Sequence, residues 1–270
     1  MGSSALVMAG RIARSPPPPD SRYDVALMPG RPFLQIPGPT LVPERIVRAM
    51  SQSIIDHRGP AFAGLVRECL DGLKGVFQTE GGHILLFPGS GTGAWEVALV
   101  NTLSPGDRVL ACVNGHFSAG FAKVAAAYGI ECDRLEVPYG DGIAAADVET
   151  RLRADSARQI RAVLVVHNET STGVTSDIAA IRRALTAAGH PALLLVDTVS
   201  SLASIDFRMD EWGVDVALTG PQKGLMLPPG LAIVAASQKA VDASEKAKRP
   251  RPYRDWAPVT ERHRRGEYPY

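Results

Sequence analysis

Short, wholly apolar runs alternate along this chain with longer segments that have helical spacing, from about Gln35 to Ala236. Short apolar runs of this kind are typical of strands buried on both faces. The predicted strands are His83–Phe87, Arg108–Val113, Ala162–His167, Ala192–Asp197, Val214–Thr219 and Leu231–Ala235. The predicted helices are Thr92–Leu103, Phe117–Tyr128, Ala145–Arg153 and Asp177–Ala188. This alternation predicts an α/β fold in which helices cover both faces of a largely parallel sheet.

The two ends of the chain depart from this pattern. Residues 1–30 include a run of four prolines, and we interpret them as a mobile N-terminal extension without a core. Residues 31–240 are predicted to form one large domain. Residues 241–270 are charged, contain proline and are only weakly periodic, so we expect them to form a connector.

Composition and charge exclude several classes of protein. The chain has 270 residues with 45% hydrophobic content, which is enough for a sizeable core. The net charge of +1 gives no reason to expect nucleic acid or a membrane surface as a partner. No apolar run approaches the ~18–20 residues of a membrane helix. The three cysteines, Cys69, Cys112 and Cys132, form no CxxC pair, which favours a reducing, cytoplasmic setting without a metal site.

The stretch FPGSGTGAWEVALV reads as a strand end, a glycine-rich turn and the start of a helix. Glycines there let the backbone approach an anion, and the first N–H groups of the helix point at it. Hydroxyl groups of Ser90 and Thr92 add donors, so the sequence predicts a phosphate site around Gly91. A dinucleotide fingerprint also fits the glycines, but the next strand ends in Asn114 rather than an acid.

Two charged residues follow later apolar strands. Asp197 closes the run ALLLVD, where a buried carboxylate needs a cationic or donor partner. A protonated pyridine nitrogen is one such partner; a metal ion or a helix start are alternatives. Lys223 follows VALTGPQ in an otherwise uncharged stretch, and an amine in such surroundings loses its proton easily and attacks an aldehyde.

A fourth polar stretch, HNETSTGV, also follows a strand. The order along the chain is then a phosphate loop, a polar strand end, Asp197 and Lys223. That order is the one that pyridoxal-5′-phosphate (PLP) chemistry on an α/β sheet requires.

The chain resembles the class V aminotransferases of PLP fold type I, with serine–glyoxylate and alanine–glyoxylate aminotransferases as the most similar members. The resemblance rests on FLQIPGPTLVP, GSGTGAWEVALVN, HNETSTGV, DTVSSL and TGPQKGLMLPPG, and it covers about 35–270. It implies the large domain of that fold, a mostly parallel mixed sheet flanked by helices. The family continues for more than a hundred residues, so the small C-terminal domain is expected to be absent from this chain.

The resemblance also implies roles for individual residues. Lys223 would carry PLP as a Schiff base and then move a proton at the substrate. Asp197 would pair with the pyridine nitrogen of the cofactor. The phosphate would be bound by Ser90, Gly91 and Thr92.

Further contacts to the cofactor follow from the same resemblance. Gln222 would also lie near the phosphate. Phe117 would stack on the ring and Val199 would pack on its other face, while Thr170 would sit near the ring oxygen.

At the level of the whole protein, the resemblance implies amino-group transfer from a small amino acid, serine or alanine, to glyoxylate. Gly38, within IPGPT, would line the substrate mouth, and Tyr268 would reach the phosphate in the neighbouring subunit of a homodimer. A truncated homologue that binds PLP with little or no turnover is the alternative. A cysteine desulfurase is disfavoured because Gln222 precedes the lysine and no cysteine follows it.

Overall fold

The structure is a computed structural model that describes residues 34–265 and 267–268. The predicted N-terminal extension, 1–30, lies outside the described residues. The described residues from Gln35 onward form one compact unit. Its described helices are α1 (Glu44–Met50), α2 (Pro60–Phe77), α3 (Gly91–Thr102), α4 (His116–Ala127), α5 (Ala145–Ala154), α6 (Ile178–Ala187), α7 (Gln238–Lys246) and α8 (Trp256–Arg264).

Seven of the nine described strands form one sheet. The strands are β1 (His83–Gly89), β2 (Arg108–Val113), β3 (Glu131–Glu136), β4 (Ile160–Val166), β5 (Asn168–Glu169), β6 (Val174–Thr175), β7 (Leu193–Asp197), β8 (Val216–Thr219) and β9 (Gly230–Ala236). The order in the large sheet is β1-β9-β8-β7-β4-β2-β3. β9 runs antiparallel to both of its neighbours, β1 and β8, and the other neighbouring pairs are parallel, which confirms the predicted mostly parallel, mixed sheet. The remaining pair, β5 and β6, forms a small hairpin.

Apolar side chains on the two faces of the sheet build two clusters. One lies beneath α3, α4, α7 and α8, and its largest fully buried side chains include Trp256 and Phe121. The other lies beneath α2, α5 and α6 and includes Phe77 together with Val163 of β4 and Leu194 of β7. Burial on both faces explains why these strands read as continuous apolar runs rather than as alternating ones.

Local signals explain several element boundaries. The Asp177 side chain accepts a hydrogen bond from the Ala180 N–H and caps α6, as its position before an apolar helix predicts. Gly189, with φ of +56°, ends the same region in the left-handed conformation that glycine adopts readily. The main strands and helices between residues 83 and 236 are confirmed with ends that differ by a few residues.

Some elements were not predicted. β3 is an edge strand whose side chains are mostly outside the core, so its sequence, ECDRLE, lacks an apolar run. The region after Ser237 contains two helices, α7 and α8, where only weak periodicity was evident. Whether residues 241–270 lead to a further domain stays a prediction.

Within the described part of the chain, no helix has both the length and the apolar character that a membrane-spanning segment needs.

Candidate active site

The carboxyl ends of the parallel strands gather the polar residues that the sequence singled out. The Ser90 turn follows β1, Phe117 lies just after β2, and Asp197 is the last residue of β7. Lys223 is the fourth residue after β8. Because β1, β2, β7 and β8 all point the same way, these residues meet at one edge of the sheet, where open α/β sheets bind ligands.

A cavity of about 190 Å³ lies at this edge. Its lining consists of Gly38, Pro39, Ser90, Gly91, Thr92, Trp95, Phe117, Asp197, Val199, Gln222 and Lys223. The sequence analysis had named all of these residues except Pro39 and Trp95. The predicted phosphate loop, carboxylate and amine therefore share one site.

One wall of the cavity is the first turn of α3. Ser90 is the N-cap residue, and its hydroxyl accepts from the Gly93 N–H at 3.3 Å while its carbonyl accepts from Ala94. The first N–H groups of a helix have no acceptor within the helix. Because Ser90 accepts from Gly93 and Ala94, the N–H groups of Gly91 and Thr92 are the ones in this turn that a ligand can use. A methyl group at Gly91 would lie 2.7 Å from Val199 Cγ2, so only glycine fits this close approach. The arrangement is suited to an anion.

Asp197 is the buried carboxylate of the site, with only 3% of its surface exposed. Its Oδ1 accepts from the Val199 N–H at 2.7 Å, and its Oδ2 accepts from Trp95 Nε1 at 2.6 Å. Burial raises the pKa of Asp197 to about 6, although both hydrogen bonds act to lower it. The carboxyl group can therefore gain or lose a proton near neutral pH.

Lys223, which also lines the cavity, is half-buried, and its ammonium donates to the Pro37 carbonyl at 3.0 Å. Burial lowers the pKa of Lys223, with the negative charge of Asp197 acting in the other direction. A lowered amine pKa increases the fraction of neutral, nucleophilic amine.

The segment around Gly38 packs directly on this lysine. The Thr40 N–H donates to the Gln222 carbonyl at 3.0 Å, and the Thr40 hydroxyl donates to the Lys223 carbonyl at 3.2 Å. A methyl group at Gly38 would lie 2.5 Å from Lys223 Cδ, and Gly38 has φ of +146°. Gly38 thus allows the segment to close over the lysine side chain.

Phe117 and Val199 form two further walls. The Phe117 ring remains 37% exposed although it lies in the first turn of α4, and it meets the His116 ring edge-on at 5.3 Å. An exposed aromatic ring beside a polar cavity provides a surface on which a flat ligand can stack.

The fully buried carboxylate of Glu169 fixes the start of α4. It accepts from the N–H groups of Phe117 at 3.2 Å and Ser118 at 2.9 Å, and from both the N–H and the hydroxyl of Ser171 at 3.2 and 2.8 Å. Burial alone raises the pKa of Glu169, but these hydrogen bonds outweigh it and the net change is a lowered pKa. The lowered pKa favours the ionised form of Glu169, which holds the backbone of Phe117 in place by accepting a hydrogen bond from its N–H.

Two predicted site residues do not line the cavity. Thr170 lies in the turn after β5, beside Glu169. Tyr268 stacks on His263 with ring centroids 6.0 Å apart. The role predicted for Tyr268 concerns a neighbouring subunit, so it stays a prediction.

Sequence reasoning missed Trp95 as a site residue. The signal was the single large side chain in the otherwise small-residue start of α3, GTGAW. A tryptophan whose N–H is buried usually has an acceptor nearby.

Comparison with known proteins gives consistent matches. The family described as Aminotransferase class-V matches residues 33–250. The L-aspartate–glyoxylate aminotransferase of Paracoccus denitrificans is 52% identical over 235 residues, and the serine–glyoxylate aminotransferase of Methylorubrum extorquens is 47% identical over 247 residues. A crystal structure of an aspartate aminotransferase from Thermus thermophilus superposes with a TM-score of 0.81 at 34% identity.

These matches cover most of this chain but only part of each relative. The chain is covered to 87% and 90% by the two curated relatives, of which it spans 59% and 61%. For the Thermus structure the shares are 88% of this chain and 66% of that one.

Proposed function

The chain belongs to the class-V aminotransferases, and from this premise we propose that it transfers the amino group of a small amino acid to glyoxylate with PLP as cofactor. Serine or alanine is the proposed donor, and glycine and a 2-oxo acid are the products. The observation that carries the proposal is the convergence of Lys223, Asp197 and the Ser90–Gly91–Thr92 turn on one cavity.

The residues of the cavity fit the phosphate of PLP. The first turn of α3 offers the free N–H groups of Gly91 and Thr92 next to the Ser90 and Thr92 hydroxyls. Gln222 supports the same assignment, because its side-chain oxygen is buried and has no hydrogen-bond partner within the described part of the chain. Since the two ends of an amide side chain can be exchanged by rotation, its NH₂ group can face an anion.

The residues also fit the ring. Asp197 is a buried carboxylate for which a protonated pyridine nitrogen is a suitable partner, since it supplies the cation that burial demands. Phe117 and Val199 are the apolar surfaces proposed for the two ring faces, and both line the cavity.

When bound, PLP supplies an electron sink for the negative charge that develops at the substrate Cα. Lys223 is the proposed attachment point for the cofactor aldehyde. The lowered pKa of its Nζ, caused by burial, also suits it to take a proton from the substrate Cα and to return it. The Gly38 segment, which packs on Lys223, is proposed to exclude water from this amine and to line the substrate mouth.

The absorption spectrum of the purified chain with added PLP tests the proposal. We expect a band near the visible edge that borohydride reduces, present in the parent and absent in Lys223→Ala. Lys123→Ala is the matched control, because Lys123 is exposed on α4 and does not line the cavity. A band that persists in Lys223→Ala would contradict the assignment of the lysine.

The donor is tested next by adding serine, alanine and aspartate separately, followed by glyoxylate, and measuring glycine. Aspartate belongs in the panel because a relative that is 52% identical is named for it. If the band forms but no donor changes it, the chain is the inactive PLP-binding homologue that we keep as the alternative. The chain spans about 60% of the length of these two curated relatives.

We propose a homodimer as the assembly. In support, α1 has no buried residue, and Val47, Met50 and Ile54 expose large apolar side chains along this segment. Apolar patches of this kind mark interaction surfaces. Sedimentation of the parent against Met50→Glu tests the assembly: a parent that sediments as a monomer at micromolar concentration contradicts it.

A cytoplasmic location is proposed from the cysteines. Cys69, Cys112 and Cys132 are all free thiols. Free thiols are typical of reducing compartments. Fractionation of the source cells with an antibody against the chain would test this.

A further inference from the structure

The carboxylate of Asp197 is held by two groups that can only donate. Trp95 Nε1 donates to Oδ2 at 2.6 Å, and the Val199 N–H donates to Oδ1 at 2.7 Å. Neither an indole N–H nor a backbone N–H can accept a hydrogen bond. A proton on Asp197 therefore finds no acceptor in these two partners and is favoured only on the side that faces the cavity.

Packing between α3 and α4 fixes the orientation of the indole ring. Trp95 is 6% exposed and stacks on Phe121 with centroids 5.5 Å apart and planes at 15°. A methyl group at Gly120 would lie 3.3 Å from Trp95 Cη2, so the α4 backbone closes on the ring from the same side. The N–H of Trp95 is thus directed at the end of β7 by the core rather than by the ligand.

From this geometry we infer that Trp95 is a positioning residue for the cofactor site: its indole N–H keeps Asp197 ionised and turned so that its remaining lone pairs face a cationic ring nitrogen in the cavity. The part of this inference that concerns the ring nitrogen rests on the proposed function. The part that concerns Trp95 and Asp197 is a property of the chain alone.

Other charges also act on Asp197. Glu169, at the end of β5, raises its pKa by repulsion, and Lys223, after β8, lowers it by attraction. Burial is the largest influence and raises it. Trp95 is therefore one of three groups, with the Val199 N–H and Lys223, that lower the pKa of Asp197 against the effect of burial. Because the indole is neutral, salt does not screen its contribution.

Substitution of Trp95 by Phe removes the N–H and retains an aromatic ring against Phe121. The matched control is Trp256→Phe, because Trp256 is 1% exposed and its Nε1 has no hydrogen-bond partner among the residues that the structure describes. Both variants lose a buried indole, but only one loses a donor to Asp197. The measurement is the pH titration of the Asp197 side-chain carboxyl carbon by ¹³C NMR on the full chain without cofactor, assigned with Asp197→Asn.

We expect the titration midpoint of Asp197 to rise by about one to two pH units in Trp95→Phe, as loss of one hydrogen bond to a charged group implies. In Trp256→Phe the midpoint should stay at the parent value. Equal midpoints in Trp95→Phe and the parent would overturn the inference.

A second measurement covers the case in which Trp95→Phe does not fold. The chain has three tryptophans, so its ¹H–¹⁵N spectrum contains three indole signals to assign. In the parent, the Trp95 signal should move with pH at the Asp197 midpoint, and in Asp197→Asn this movement should vanish while the other two signals are unchanged. A Trp95 signal that is the same in both proteins overturns the inference.

Neither measurement needs PLP, so failure of the proposed function is seen separately, as absence of the borohydride-sensitive band in the parent. If PLP binds, its dissociation constant can be measured from the absorbance band of the bound cofactor, which does not depend on tryptophan. This constant should increase more in Trp95→Phe than in Trp256→Phe. Equal affinities of the two variants would contradict the role of Trp95 toward the ring nitrogen.

Discussion

The burial of Asp197 has a consequence for stability that Asp197→Asn can expose. The folded chain raises the pKa of this carboxyl from 3.8 to about 6 because the group is buried. Between these values the folded state binds more protons than the unfolded state, so the stability contributed by this group falls as pH rises. It is lost between about pH 4 and pH 6 and does not change further above that range.

The magnitude follows from the width of this window. Each pH unit between the two pKa values corresponds to about 1.36 kcal/mol, so a gap of about two units corresponds to about 3 kcal/mol. Asparagine has nearly the same shape but does not titrate, and any hydrogen bond that its amide loses is the same at every pH. The difference in unfolding free energy between parent and Asp197→Asn should therefore shift by about 3 kcal/mol between pH 4 and pH 8, against the parent at high pH.

Urea unfolding followed by circular dichroism at intervals from pH 4 to pH 8 measures this difference without cofactor. In thermal unfolding the same shift corresponds to roughly 6–12 °C in the difference between the two Tm values. Asp71→Asn, at an exposed position of α2, is the matched control for the loss of one aspartate. A parent–variant difference that is constant with pH, or that changes in the opposite sense, would refute the reasoning that burial dominates at Asp197.

Three further expectations follow from the structure. Glu169→Ala should destabilise the chain by about 2–4 kcal/mol at pH 7, because it leaves buried donors at the start of α4 without their acceptor. The loss should shrink as the pH falls through the pKa of this carboxylate, which its hydrogen bonds lower; equal stability of the two proteins at pH 7 would contradict this. Gly115→Ala should be strongly destabilising, since its methyl group would lie 2.3 Å from Glu169 Cγ, whereas Gly72→Ala, in an open position of α2, should be neutral or stabilise by about 1 kcal/mol in the same unfolding assay. In a thiol-reagent titration, Cys69 should react in the native chain because it is exposed. Cys112 should react only after unfolding, because burial raises its pKa to about 12. Rapid labelling of Cys112 in the native chain would contradict this and would show that the core opens.

The sequence predicted the central part of the fold because the strands there are buried on both faces. β2, Arg108–Val113, was predicted with its observed ends, since RVLACV is apolar apart from its first residue. β3 was not predicted, because an edge strand needs few apolar positions and its six residues are mostly charged or exposed. α7 and α8 were missed for a related reason: each buries only two or three residues, which leaves little periodicity to detect.

The site residues that the sequence predicted best are those whose ionisable side chains are unusual after a buried, apolar strand. Asp197 and Lys223 are ionisable side chains in apolar surroundings, and both line the cavity. Trp95 was missed because a tryptophan within a helix is usually part of the core, and its hydrogen bond joins positions 102 residues apart. The sequence showed Glu169 only as part of a polar stretch. Its function as a cap depends on the close approach of its side chain to Gly115, and the spacing of residues along the chain does not reveal that contact.

The pairing of β1 with β9 sets the order in which the site can form during synthesis. Gly89, at the end of the strand that leads into the Ser90 turn, pairs with Gly230, and no other strand described in the structure borders β1. Pairing between such distant segments is slow to form, because a long loop must close first. The Ser90 turn near the beginning of the domain therefore gains its lateral support only after β9 has left the ribosome, and until then β1 is an apolar strand with both edges open to other chains.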